Sequence, residues 1–338
     1  MSGNEPPSLP AILGVGSVPS RLGSVPGPNG LLVPAMIHAQ GAAASFAWEE
    51  WTCGVIRNPH TRRAYSRAVT EFFRWLEPHG VQLDAITPGM VGRYLAQHPG
   101  SAPTRKLALA ALRACFDVLV LRHVLILNPA AAVRGERYQV VEGKTPEASV
   151  TQLRNLLASI GTETVLGKRD KAVIATLVYT AARAGAVARL RRKDLIFDGR
   201  QWLLRFDHEK NGKSREIPVR FDLQTFLLDY AEAAGVLAGA GDRPLFQTVN
   251  GLTGGLTGSP VSGIDVNRLV KRRLAGAGLP TRLSPHSFRV AVITDLLSQG
   301  VPLEDVQYLA GHSDPRTTRL YDRRRQAVSR NIVERISV

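Results

Sequence analysis

The stretch LAGHSDPRTTRLYDRR, residues 309–324, carries most of the information in this sequence because it sets a histidine and a tyrosine among several arginines. His312 follows a glycine, and Tyr321 lies nine positions further on, across a predicted short turn and helix. A tyrosine hydroxyl has a pKa of about 10, so it acts as a nucleophile only in strongly positive surroundings. A single tyrosine on a basic helix is more often a packing residue, and this stretch therefore needs support from elsewhere in the chain. The arginines near Tyr321 are Arg316, Arg319, Arg323, Arg324 and Arg325.

Two stretches upstream place arginine and histidine where a phosphate can be bound. In YTAARAGAVARL, residues 179–190, Arg183 stands at the end of a predicted apolar helix, where a half-buried guanidinium requires an anion. In LSPHSFR, residues 283–289, His286 and Arg289 are three apart and share one helix face. Such a pair can present a proton-transfer group and a guanidinium to the same phosphate. Each stretch alone also fits a helix end whose polar groups pair with a carboxylate or with water.

The segment GRQWLLRFDHEKNGKSREIPVR, residues 199–220, alternates as a β-hairpin does. Trp202–Phe206 is predicted as one strand and Arg215–Val219 as the other, with an Asn-Gly dipeptide at the turn. Lys210 and Lys213 flank this turn, where a flexible ammonium group can reach into a neighbouring site or a groove. A solvated hairpin tip would carry the same residues.

The first half of the chain contains three predicted helices. Residues 58–80 form an amphipathic helix, with apolar residues at the spacing of one face and arginines on the other, and Gly80 ends it. A short helix over 87–96 and a third one after Pro103 follow, before an Asn-Pro dipeptide closes the region. The sequence therefore predicts a small all-helical domain with a basic surface. The arginines of its first helix are Arg62, Arg63, Arg67 and Arg74.

Composition divides the chain into four parts. They are a disordered tail at 1–43, a helical domain at 44–130, a linker at 131–144 and a second domain at 145–338. The tail is assigned because it holds only two charged groups among many Gly, Pro and Ser residues. The second domain is predicted to start with a helix at Thr145 and to be mainly helical outside the hairpin. A last helix, over about 327–336, carries apolar residues that fit either its own domain or a neighbouring protomer.

Composition also favours a polyanionic partner. The chain has 43 Lys+Arg against 28 Asp+Glu, a formal net charge of +15, which fits nucleic acid or an anionic membrane surface. No run approaches the ~18 apolar residues that span a bilayer, and the arginines are not gathered on one long amphipathic helix, so nucleic acid is favoured. With only Cys53 and Cys115 as cysteines, far apart, and no recognisable signal peptide, we expect a protein of the cytoplasm that does not bind membranes.

In combination, these stretches resemble the catalytic motifs of the tyrosine recombinase family, which includes phage integrases and the Xer- and Cre-type recombinases. The order is an arginine, a hairpin lysine, His-x-x-Arg, Gly-His and then tyrosine, and the resemblance extends over residues 44–338. RDKAVIATLVYTAARAGAV, residues 169–187, is similar to the first-arginine motif, and EKNGKSREIPV, residues 209–219, is similar to the strand-turn-strand lysine motif. The resemblance implies a mainly α fold, in which a helical, SAM-like core-binding domain precedes an α+β catalytic domain with a small antiparallel sheet.

The resemblance also implies the reaction and its residues. Tyr321 would attack a backbone phosphorus, forming a 3′-phosphotyrosyl link and releasing a 5′-hydroxyl, while Lys210 would protonate the departing oxygen. No cofactor and no metal is implied, because the covalent link retains the energy needed for rejoining. The remaining implied roles are phosphate binding by Arg183, Arg289 and His312, and proton transfer at the tyrosine by His286.

The family's pattern is not matched at every position. Family members usually carry an acidic residue three positions after the first arginine, where this chain has Ala186. They often carry a histidine directly after the second arginine, where this chain has Val290. Both positions orient the site, so these departures bear on the rate and not on the type of reaction.

Double-stranded DNA is the implied partner, clamped between the two domains. A homo-tetramer, or a hetero-tetramer with related recombinases, is the implied assembly. The alternative interpretation is a catalytically weak or inactive DNA-binding relative of integrases; relaxing topoisomerases and telomere resolvases share the chemistry. The sequence leaves open the target site and the role, which is integration or excision of a mobile element or resolution of dimers. The residues expected to contact DNA are Arg62, Arg63, Arg67, Lys213 and Arg215.

Overall fold

The computed structural model describes residues 24–26, 32–137, 145–207, 214–251 and 253–321. Contacts divide the chain into two compact units, Met1–Gln139 and Val140–Val338. Each unit has its own hydrophobic core. The division into four parts, with boundaries at 44, 131 and 145, remains a prediction.

The first unit is built from helices whose apolar faces meet in one core. They are α1 (Ala35–His38), α2 (Ala42–Glu49), α3 (Pro59–Leu76), α4 (Pro88–Gln97) and α5 (Ala102–Leu121), with a π-helical segment at Glu50–Val55. α3 begins where the Asn58 side chain accepts hydrogen bonds from the backbone N–H groups of His60 and Thr61. Gly80, at φ 61°, ends the 3₁₀ turn that follows it. The predicted amphipathic helix is confirmed.

The start of the described chain differs from the predicted disordered tail. Its strands, β1 (Ser24–Pro26) and β2 (Leu32–Pro34), pair antiparallel, and α1 follows directly. Val33 and Ile37 are buried in the core of the first unit. The indole Nε1 of Trp48 donates to the Leu32 carbonyl at 3.1 Å. Sparse charge predicted disorder, but the few apolar residues of this stretch gain enough by burial to be ordered.

The second unit surrounds α7, which is buried on nearly all sides. Its helices are α6 (Val150–Ala158), α7 (Val165–Thr180), α8 (Ala184–Ala188), α9 (Phe221–Ala233), α10 (Gly263–Gly276), α11 (Pro285–Ser298), α12 (Leu303–Ala310) and α13 (Pro315–Arg319). The helix predicted at Thr145 was placed too early. Ser149 and Gln152 form a reciprocal cap, each side chain accepting from the other's backbone N–H, and this fixes the start of α6.

Two antiparallel sheets complete the second unit. The larger has the order β3 (Leu195–Phe197), β4 (Trp202–Phe206), β5 (Arg215–Pro218), and the smaller is a hairpin of β6 (Gln247–Val249) and β7 (Leu256–Pro260). The predicted pair β4 and β5 is confirmed, with buried Leu204 opposite buried Ile217. The predicted turn with Lys210 and Lys213, and the predicted last helix, lie outside the described residues.

A buried ion cluster joins α7 to α10. Asp170 is fully buried, and its Oδ1 accepts from the Nη2 of Arg169 at 2.7 Å. Its Oδ2 accepts from Arg272 and Arg273, each at 2.8 Å. A carboxylate held by three guanidinium groups fixes the second turn of α7 against a neighbouring helix.

The described architecture is mainly helical with small antiparallel sheets, and the predicted fold class is confirmed. Among the described residues, no helix combines the length and the apolar character that crossing a membrane requires.

Candidate active site

The first predicted arginine stands just after α7, where the chain turns sharply into α8. Ala181 adopts the left-handed conformation, with φ 49° and ψ 23°, and α7 ends there. Arg183 precedes α8 and is exposed. Its Nη1 donates to the Gly311 carbonyl at 3.3 Å. The turn therefore brings Arg183 next to the residue that precedes His312.

The N-terminal part of α11 carries the next two predicted residues. A reciprocal cap between Ser284 and Ser287 fixes the start of this helix. His286 is exposed there, whereas Arg289, one turn further on, is only 1% exposed. The Nη1 of Arg289 donates to the Ala181 carbonyl at 2.6 Å. The left-handed turn after α7 thus serves both arginines, since it directs Arg183 and binds Arg289.

His312 follows α12, whose last turn ends at Gly311 with φ 62°. Its backbone N–H donates to the Gln307 carbonyl at 3.1 Å, and the Gln307 side chain donates to the His312 carbonyl at 3.0 Å. The imidazole is 7% exposed, and its Nδ1 lies 2.8 Å from the Thr318 hydroxyl. Both its backbone and its ring are therefore held in place.

Tyr321 lies directly after α13, against the ring of His312. The two ring centroids are 6.0 Å apart and the planes differ by 11°, which is a stacked arrangement. The Tyr321 backbone N–H donates to the Thr318 carbonyl at 3.0 Å. Its ring is half-buried and packs on the apolar cluster beneath α11 and α12. The five predicted residues that the structure describes come together here: Arg183, His286, Arg289, His312 and Tyr321.

The positive charge of this cluster acts on both histidines. Burial, together with the nearby Arg289 and Arg183 guanidinium groups, lowers the pKa of His312 to about 3. Partial burial also lowers the pKa of His286, with the same two arginines adding to the effect. Both imidazoles are consequently neutral near pH 7. A site of two arginines and two neutral histidines can bind a phosphate through the arginines, while the imidazoles remain able to accept or donate a proton.

Arg215, at the start of β5 as predicted, is buried. It is 5% exposed, because the alternation of β5 turns Arg215 and Ile217 inward. Its guanidinium lies 4.7 Å from the centroid of the Phe206 ring, and its Nη1 donates to the Leu309 carbonyl of α12. The predicted DNA contact of Arg215 remains a prediction. Arg215 joins the hairpin strand to the helix that leads to His312.

The predicted DNA contacts of the first unit lie on α3. Arg63 and Arg67 are exposed, and the Nε of Arg67 donates to Glu71 at 2.7 Å. Arg62 is half-buried, and its Nη2 donates to the Ile56 carbonyl at 3.0 Å. The DNA-contact role of these residues, and of Lys213 outside the described residues, remains a prediction.

The two departures from the family pattern are both buried. Ala186 is 7% exposed and its N–H donates to the Arg183 carbonyl at 2.8 Å, while Val290 is 5% exposed. Thr318, which contacts His312, was missed by sequence reasoning. The available signal was its position three residues before Tyr321, a spacing that brings two side chains close together wherever the chain is helical.

Comparison with known proteins gives a consistent result over most of the chain. Residues 148–327 match the phage integrase family, and residues 55–123 match the phage integrase N-terminal SAM-like domain. A tyrosine recombinase of Synechococcus elongatus is 31% identical over 80% of this chain and 86% of its own length. The tyrosine recombinase XerD of Ralstonia nicotianae is 29% identical over 79% of this chain and 84% of its own.

Solved structures show the same fold at lower identity. A XerH site-specific recombinase bound to a palindromic difH substrate has a TM-score of 0.64 at 20% identity, covering 81% of this chain and 80% of its own. A lambda integrase dimer bound to a COC′ core site has a TM-score of 0.60 at 17% identity, covering 83% of this chain and 77% of its own.

Proposed function

This chain belongs to the phage integrase family and is an enzyme of the tyrosine recombinase class, and on that premise we propose that it cuts and rejoins DNA at specific sites through a 3′-phosphotyrosyl intermediate. The observation that carries the proposal is the grouping of Arg183, His286, Arg289 and His312 around Tyr321.

The reaction is an exchange of one phosphodiester for another. The Tyr321 hydroxyl oxygen attacks the phosphorus, the bond from phosphorus to the 5′ oxygen breaks, and the tyrosine proton leaves. The departing oxygen takes up a proton and becomes a 5′-hydroxyl, because an alkoxide is a poor leaving group. Rejoining reverses these steps with a 5′-hydroxyl of the partner strand as the nucleophile.

Each neighbouring side chain has a part in this exchange. Arg183 and Arg289 bind the non-bridging oxygens, on which negative charge grows in the transition state. His312, neutral and held against the Tyr321 ring, donates a hydrogen bond to the same phosphate. His286 accepts the tyrosine proton, and Lys210 supplies the proton to the 5′ oxygen.

Double-stranded DNA is the proposed substrate, in the cytoplasm, with four protomers acting together. A lambda integrase tetramer bound to a Holliday junction has the fold of this chain, at a TM-score of 0.59 and 18% identity. Arg62, Arg63, Arg67 and Lys213 are proposed to contact phosphates, which makes affinity fall steeply with salt.

The test is the capture of the covalent intermediate. Binding sites are first selected from a random-sequence duplex pool by the purified protein, and are then nicked to make suicide substrates. The readout is a denaturant-resistant protein–DNA adduct on a gel, formed by the wild type and lost in Tyr321→Phe. Tyr308→Phe is the matched control, since Tyr308 lies on the neighbouring α12 and its hydroxyl donates to the Glu216 carbonyl at 3.2 Å. Its adduct is expected at the wild-type level.

The outcomes separate the two candidate functions. Salt-sensitive DNA binding without an adduct would favour an inactive DNA-binding relative of integrases. Ala186 would then help to explain the lost activity, because it stands where the family has an acidic residue near Arg183. An adduct that persists in Tyr321→Phe would contradict Tyr321 as the nucleophile.

A further inference from the structure

Thr318 is placed between the two residues that act on the phosphate. It lies on α13, is fully buried, and has its hydroxyl oxygen 2.8 Å from the Nδ1 of His312. Its carbonyl accepts the backbone N–H of Tyr321 at 3.0 Å. One residue therefore contacts the imidazole through its side chain and the tyrosine through its backbone.

The direction of the hydroxyl–imidazole hydrogen bond follows from burial. A neutral imidazole has one N–H and one bare nitrogen, so Nδ1 either accepts from the threonine or donates to it. Among the described residues, the Thr318 hydroxyl has His312 Nδ1 as its sole hydrogen-bond partner. A buried O–H that donates to nothing is costly, whereas a hydroxyl oxygen that accepts nothing costs less. The arrangement with the lower free energy has Thr318 donating to Nδ1.

We propose that Thr318 is a positioning residue that holds His312 as the tautomer with its proton on Nε2. His312 then offers a hydrogen-bond donor to the phosphate oxygens. It cannot at the same time accept the proton of Tyr321, because its bare nitrogen is occupied by Thr318. Proton acceptance at the tyrosine is left to His286. This inference rests on the proposed function for its role in cleavage, but the tautomer itself is a property of the protein without DNA.

The tautomer is measured directly by nitrogen NMR of the full chain labelled with ¹⁵N-histidine. The chain has 8 histidines, and the resonances of His312 are those that disappear in His312→Gln. We expect Nδ1 of the wild type to show the shift of an unprotonated nitrogen and Nε2 that of a protonated one, near pH 7. A protonated Nδ1 in the wild type would overturn the proposal, whatever the variants do.

Two variants connect the tautomer to the reaction. Thr318→Val keeps the shape and removes the hydroxyl, and we expect it to lose the single Nε2–H tautomer and to cleave the suicide substrate roughly 10- to 100-fold more slowly at saturating DNA. Thr318→Ser keeps the hydroxyl, and we expect the wild-type tautomer and a rate within about threefold of the wild type.

Thermal unfolding of each variant separates positioning from stability. A Thr318→Val protein that is folded, keeps the Nε2–H tautomer and cleaves at the wild-type rate would contradict the proposal. If the wild type forms no adduct, the proposed function fails. The tautomer measurement still decides whether Thr318 holds His312 with its proton on Nε2.

Discussion

Arg63 and Arg67 of the first unit and Arg289 of the second unit are held in opposite ways. On α3 of the first unit, Arg63 and Arg67 are exposed, and Arg67 forms a solvent-accessible ion pair with Glu71. In the second unit, Arg289 is 1% exposed and donates to a backbone carbonyl. A buried guanidinium is costly unless it is hydrogen-bonded, so the second unit fixes Arg289 before any anion binds. Exposed arginines suit affinity for a polyanion, and fixed ones suit catalysis, because they need no reorganisation in the transition state.

The largest effect is expected at the buried ion cluster of the second unit. Asp170→Asn removes the charge that three arginines share, and leaves the buried Arg169 guanidinium without its anion. We expect the free energy of unfolding to fall by about 3–5 kcal/mol, measured by urea denaturation. Asp229→Asn, exposed on α9, is the matched control and is expected to change it by less than about 0.5 kcal/mol. If the two substitutions lowered the free energy of unfolding equally, the buried ion cluster would be no more important for stability than an exposed charge.

The next largest effect is expected on cleavage. Arg289→Lys keeps the charge but loses the planar fork, so we expect single-turnover cleavage to slow by about 10²–10³-fold. Arg63→Lys is the matched substitution on the first unit and is expected to leave the cleavage rate unchanged, since an exposed phosphate contact needs only a charge. A comparable loss in both variants would remove the distinction between the two units.

A smaller effect is expected in the pH dependence of stability. The unfolded chain binds a proton at His312 near its usual pKa of about 6.5, whereas the folded protein does so only near pH 3. The stability that neutral His312 contributes is therefore complete above pH 6.5 and is lost as the pH falls towards 3, with a slope of about 1.4 kcal/mol per pH unit. His312→Gln should remove this part of the slope in urea denaturation series, with His60→Gln on α3 as the control. An unchanged slope in His312→Gln would contradict the buried neutral state.

The smallest effect is expected on the salt dependence of DNA binding. Arg63→Ala removes one proposed phosphate contact, and the slope of log affinity against log salt should fall by about 0.9. The free energy of unfolding should change by less than about 0.5 kcal/mol, because the side chain is exposed. A change in stability without a change in slope would show that Arg63 supports the fold and does not contact DNA.

The same contrast explains what could be predicted from the sequence. The helices of the first unit follow from apolar spacing and caps, as at Asn58 and Gly80, because one face of each helix is buried and the other is not. β3 and the β6–β7 hairpin were missed, because β3 and β6 have only three residues each and β7 is exposed along most of its length, so they lack the alternation that marked β4 and β5. The first hairpin and α1 were missed because their order depends on contacts with the core and not on local pattern.

The candidate site was predicted as a set of residues but not as a set of contacts. The motifs identified the residue types, and the structure groups the five that it describes. The burial of Arg215 and the contact of Thr318 with His312 could not be predicted, because both depend on which elements meet in space. Strand alternation within β5 was the one local signal for Arg215, since it lies two residues from the apolar Ile217.

The lowered pKa of His286 has a consequence for the binding of DNA. Partial burial, and to a smaller extent the Arg289 and Arg183 guanidinium groups, lower this pKa in the protein without DNA. A phosphate bound to both arginines offsets their charge and raises the pKa of His286 by removing the part of the lowering that the arginines cause. Binding and protonation are then linked, so that DNA binding takes up hydrogen ions in mildly acidic solution, and acidification in turn tightens binding by the same free energy. The heat of binding should accordingly vary with the ionisation enthalpy of the buffer near pH 6, and not near pH 8.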